Sequence, residues 1–147
     1  NRKKLLCHID CVFDNYLFID ETTTRLIDWE YAGMADPLID IAMCSIYSYL
    51  EKDGIDRLLD IYIFSKSNPD ADEANFNYKQ NKADLSKAVD LTQRYIVYSY
   101  VALSGFLWAL WTVYKSSFGE TFGEYSLKMY RYSKDFYKIL LDEGFFA

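Results

Sequence analysis

The chain lacks what several large functional classes require. Basic residues are outnumbered: 16 Lys and Arg face 22 Asp and Glu, a formal charge of −6. Affinity for a phosphate backbone comes from clustered Lys and Arg, so general nucleic-acid binding is not expected. The three cysteines, Cys7, Cys11 and Cys44, are an odd count, which excludes a closed disulfide framework. Cys7-x3-Cys11 beside His8 has no second ligand pair, so structural zinc is not expected either. Buried free thiols in a reducing cytoplasm fit this usage. Two prolines and six glycines suit long helices better than a loop-rich sandwich. Nothing resembles a signal peptide. The chain opens on "NRKKLL" without an initiator Met, which reads as the downstream part of a larger protein.

What is present is a core. Apolar residues make up 51% of the 147, and 18% are aromatic. That is too apolar for a disordered tail and enough for one domain. Residues 16–19 (YLFI) and 25–29 (RLIDW) flank a polar DETTT, the pattern of a β-hairpin. Asp36-Pro37 reads as an N-cap with proline at the first helical position. Helices are predicted over residues 37–50, 54–67, 84–117 and 122–142. The first, second and fourth show helical spacing: Leu38, Ile41, Ala42, Cys44, Ser45 and Leu50 can share much of one side of the first, and the third rests on its long uncharged run. Residues 68–82 are polar and predict a loop or a weak short helix.

Residues 95–114 carry no charge, which is long enough to span a bilayer. Four tyrosines and Gly105 in that run place phenols where lipid would leave them without partners. A helix buried in a globular core has the same composition, and no membrane span is expected.

The opening stretch, residues 5–32, carries the chemistry. It contains the only histidine and the pattern His8-x-Asp10-x4-Asn15, then the hairpin, then Asp28. A carboxylate on a loop can accept or orient a hydroxyl proton. An amide oxygen and a second carboxylate suit Mg2+, which prefers oxygen ligands. A hairpin folds its ends together, so Asn15 and Asp28 can face one ion. Phosphoryl transfer needs such parts.

"HIDCVFDN" together with "LIDWEYAGMADPLIDIA" resembles the kinase-like phosphotransferases, and within them the choline/ethanolamine kinase and aminoglycoside phosphotransferase superfamily. Protein kinases have H-R-D-x4-N and D-F-G. Here Ile9 replaces the Arg and Trp29-Glu30 follow Asp28, which points away from protein kinases. "IDWEYAG" most resembles choline kinases of the bacterial type. The resemblance implies a mainly α architecture with a small β-hairpin (α+β), the C-terminal lobe of a protein-kinase-like fold over residues 1–147. No Gly-rich phosphate loop is present, so the N-terminal nucleotide lobe is expected outside this chain, and the chain alone is expected to be inactive. The implied reaction moves the γ-phosphate of ATP to the hydroxyl of choline or a similar amino alcohol, with Mg2+, in the cytoplasm. Asp10 matches the catalytic-loop aspartate, Asn15 and Asp28 the metal ligands, and Glu30 an acidic position near the substrate. His8 matches a structural member of the loop, and Asp40 a structural position at the start of the next helix.

Trp108 and Trp111, in "FLWALW", lie three apart and share a helix face. A quaternary ammonium offers no hydrogen-bond donor, so a site for it relies on ring faces, each contributing roughly 0.5–2 kcal/mol. The two indoles resemble the tryptophan pair of the choline pocket, with Tyr125 the best match for its tyrosine and Tyr130 the second. Ethanolamine and aminoglycosides remain open as substrates, the latter because of the acidic loop at residues 70–73. So does a catalytically silent cation-binding module.

Overall fold

The computed structural model describes residues 2–68, 78 and 89–145. Among the described residues, four three-residue strands and a 3-10 turn precede four helices of ten residues or more. The strands are β1 (Leu5–Cys7), β2 (Tyr16–Phe18), β3 (Thr24–Leu26) and β4 (Gly33–Ala35). The helices are α1 (Leu38–Tyr47), α2 (Lys52–Ser67), α3 (Leu91–Ser116) and α4 (Tyr125–Asp142). The architecture is mostly helical with a small β region, as expected for α+β.

The hairpin forms where the alternation predicted it. Tyr16 pairs with Leu26 and Phe18 with Thr24 in an antiparallel ladder. Asp20 stabilises its turn, accepting hydrogen bonds from the Thr22 amide and hydroxyl at 2.9 Å each. A second ladder was not anticipated. β1 pairs antiparallel with β4, setting Cys7 against Gly33. Segments 8–15 and 27–32 therefore run side by side between two short ladders, which fixes the site.

α1 starts one residue later than predicted, at Leu38, whose amide donates to the Asp36 carboxylate at 3.1 Å. It ends at Tyr47, so Leu50 lies beyond it. Its buried face is Leu38, Ile41, Ala42, Met43, Ser45 and Ile46; Cys44 is only half-buried. α3 starts at Leu91, later than predicted, because Asp90 closes a capping box with Gln93. Residues 84–88 of that prediction, and the acidic loop at 70–73, lie outside the described residues. α4 starts at Tyr125, after the glycine-containing stretch at 119–123.

The core lies between α3 and its neighbours α1, α2 and α4. Tyr98 and Val101 of α3 are buried with Ile46 of α1, Leu59 of α2 and Met129 of α4. By length and composition α3 is the one helix among the described residues apolar enough to cross a membrane. Three of its phenols, Tyr95, Tyr98 and Tyr100, hydrogen-bond to the rest of the globule. Tyr98 donates to Asp56 of α2, and Arg94 pairs with Asp56 and Asp60 at 2.8 and 2.7 Å. The opposite face of α3 leaves Leu103, Leu110 and Val113 exposed.

Candidate active site

The loop after β1 is held from below by α1. The Asp40 carboxylate accepts the His8 amide at 2.9 Å and the Ile9 amide at 2.8 Å. To present both amides, Ile9 adopts φ +72°. For a β-branched residue this left-handed conformation is strained by about 1–3 kcal/mol, so its surroundings must enforce it. Asp40 thus has the structural place the resemblance implied.

His8 is fully buried, and its Nε2 donates to the Ile27 carbonyl at 2.7 Å. Its Nδ1 is buried without a partner. The ring edge meets Trp29 at 4.8 Å between centroids. His8 therefore ties the loop to the residue preceding Asp28, and its geometry is that of a brace.

Asp10 is held at both oxygens. Tyr47 donates to Oδ1 at 2.9 Å and Asn15 Nδ2 donates to Oδ2 at 3.2 Å. Asn15 Nδ2 also donates to the Asp10 carbonyl at 2.9 Å, which leaves the amide oxygen of Asn15 as its free acceptor. The Ile27 amide donates to the Asn15 carbonyl at 2.9 Å, so Asp28 follows directly on the bond that joins the two segments. Asp28 has φ +62° and an exposed carboxylate. Among the described residues no three His, Cys, Asp or Glu side chains converge as a metal cage. An amide oxygen and one or two carboxylates, with the remaining positions left to phosphate and water, are a donor set that fits Mg2+.

Asp10, Trp108 and Trp111 border one cavity of about 280 Å3. The Trp108 and Trp111 rings meet edge to face at 5.3 Å, and Tyr47 lies 6.0 Å from Trp108. Tyr31 also lines the cavity, and Ile9, Met43 and Leu107 complete the wall. Trp111 already carries a cation on one face: Lys115 Nζ sits 5.8 Å from its ring centre. Two predicted residues lie off the wall. Glu30 is exposed, and Tyr125 is half-buried within electrostatic reach of Asp10. Tyr130 borders a different groove, with Leu110 and Val113.

Tyr31 and Tyr47 were missed. Tyr31 stands three residues after Asp28, inside the motif already singled out. Tyr47 lies seven residues after Asp40 and four after Met43, on the helix face that touches the loop.

The neighbouring thiol is inert. Burial first, then Asp40 and Cys44, push the Cys11 thiol up to about 12, so it stays protonated and is no nucleophile. Burial, with help from Asp10, raises the Tyr47 phenol far above its ordinary value, so it remains a donor.

Two curated relatives, both Protein LicA of Haemophilus influenzae, one from strain Rd, are each 35% identical over 122 residues. That is 83% of this chain but only 39% and 31% of theirs, so the chain spans well under half their length. No solved structure matches. Residues 1–76, which contain the loop, both ladders, α1 and α2, match the APH family of phosphotransferase enzymes, and the chain belongs to that family.

Proposed function

We propose that the complete protein transfers the γ-phosphate of ATP to the hydroxyl of choline, giving phosphocholine and ADP. The observation that supports this most is the cavity beside Asp10. It is walled by Tyr31, Tyr47, Trp108 and Trp111, and among the described residues Asp10 is the one carboxylate that lines it. Its volume of about 280 Å3 falls below the usual range for drug-sized ligands, which suits a small amino alcohol better than an aminoglycoside. Ring faces without a second carboxylate suit a quaternary ammonium.

In this reading Asp10 orients the hydroxyl and takes its proton as the oxygen bonds to the γ-phosphorus and the bond to the ADP oxygen breaks. Asp28 and the Asn15 amide oxygen would hold Mg2+, which would supply charge neutralisation at the phosphate oxygens. Glu30 and the overall negative charge attract the cation from a distance, and Tyr125 supports the pocket from its half-buried place. The adenine and phosphates are gripped by an N-terminal lobe outside this chain, in the cytoplasm.

The test is a substrate panel with the complete protein and Mg-ATP. The expected order in kcat/KM is choline first, ahead of ethanolamine by about tenfold, since each ring contributes roughly 0.5–2 kcal/mol. Preference for an aminoglycoside, or no phosphoryl transfer to any of them, refutes the reading.

A further inference from the structure

Tyr47 joins the cavity wall to the Asp10 carboxylate. It is the last residue of α1 and half-buried. Its hydroxyl donates to Asp10 Oδ1 at 2.9 Å, and no other described residue donates to that oxygen. Its ring is a cavity wall 6.0 Å from Trp108. Asn15, the other donor to the Asp10 carboxylate, is divided between Oδ2 at 3.2 Å and the Asp10 backbone carbonyl at 2.9 Å.

We propose that Tyr47 is a positioning residue for phosphoryl transfer: it locks the Asp10 carboxylate against rotation and aims its remaining lone pairs into the cavity that its own ring walls. This rests on the reading of Asp10 as the residue that receives the hydroxyl proton. A carboxylate gripped at one oxygen can turn about its Cβ–Cγ bond; one gripped at both cannot. A residue that keeps its proton across the working pH range serves this purpose, and burial beside Asp10 keeps the phenol protonated. Each Asp10 oxygen retains a lone pair after these bonds, so orientation is set without occupying the base. The placement of Tyr47 on α1 also joins two parts of the site. The same helix holds the loop backbone through Asp40 and the carboxylate through Tyr47, so one rigid element fixes both.

Tyr47→Phe in the complete protein removes the hydroxyl and keeps the ring. The expected result is a kcat on choline lower by about 10- to 100-fold, as for a displaced catalytic group. KM should change by less than about threefold, because the wall is intact. A hydroxyl that served only stability would lower the unfolding midpoint and leave kcat alone; kcat within about twofold of wild type overturns the proposal. A second measurement needs no turnover. The 13C resonance of the Asp10 carboxyl carbon should move in Tyr47→Phe, and an unmoved resonance overturns the proposal too. Should the wild-type protein phosphorylate no amino alcohol, the functional reading fails and the carbon resonance alone decides whether Tyr47 holds Asp10.

Discussion

Replacing Asp40 by alanine tests how the active loop is built. The change removes the acceptor of two amide bonds, from His8 at 2.9 Å and Ile9 at 2.8 Å. Hydrogen bonds to a charged group contribute about 1.5–3 kcal/mol each, so the gross loss is about 3–6 kcal/mol. Part of it returns. Once released, Ile9 can leave φ +72°, which relieves about 1–3 kcal/mol of backbone strain. The net destabilisation is therefore about 0–5 kcal/mol, centred near 2.5. Urea denaturation followed by tryptophan fluorescence measures it, and Trp29 against the His8 ring is a local reporter. Activity should fall further than stability explains, because a relaxed loop carries Asp10 away from Tyr47 and the cavity. A loss of about 100-fold in kcat, under conditions where the variant is folded, is the expectation. Asp40→Asn keeps one acceptor oxygen and should lose about half as much stability. An unchanged urea midpoint with unchanged kcat in Asp40→Ala would refute the view that α1 holds the loop through this carboxylate.

Three further outcomes follow from the same structure. Trp108→Ala should raise KM for choline by about 2- to 30-fold, the equivalent of one ring at roughly 0.5–2 kcal/mol, with a smaller effect on ethanolamine; steady-state kinetics on both alcohols checks this. Gly105→Ala should cost about 1 kcal/mol by thermal or urea unfolding. The new Cβ would meet the Met129 carbonyl oxygen and Ser133 Cβ at 3.3 Å, and the overpacking of about 1–3 kcal/mol exceeds the helix gain of about 1. Stability should also fall in acid. Burial raises the Asp56 carboxyl, but the Tyr98 hydroxyl, Arg94 and Lys52 outweigh it and the net pKa lies below the ordinary value. Such a group contributes fully above its unfolded value of about 3.9, and its contribution is lost as pH falls through the lower folded value. Urea midpoints from pH 6 downward should drop below about pH 4, less steeply in Asp56→Asn; equal slopes in the two proteins would contradict this.

Much of the helical architecture was legible because its signals are local. Helical spacing marked α1, α2 and α4, a long uncharged run marked α3, and the apolar runs around DETTT marked the β2–β3 hairpin. Boundaries were less legible. The true start of α3 depends on Asp90 and Gln93 reaching each other's backbone, and a run of helix-forming residues upstream conceals that competition. β1 and β4 were invisible: each is three residues long, and each exists only because the other is alongside.

By itself the sequence determined the inventory of groups: two carboxylates and an amide at set spacing, a lone histidine, a pair of indoles on one helix face, and an excess of negative charge. These are covalent facts or follow from the pitch of a helix. Tertiary structure alone decided which of those groups meet. Pairing of β1 with β4 lays residues 8–15 beside 27–32, Asp40 forces Ile9 into its left-handed turn, and packing of α3 on α1 brings Trp108 to Tyr47 and so to Asp10. Contacts between residues so far apart in the chain have no local signature, because closing such loops is opposed by chain entropy and repaid only when the whole core assembles.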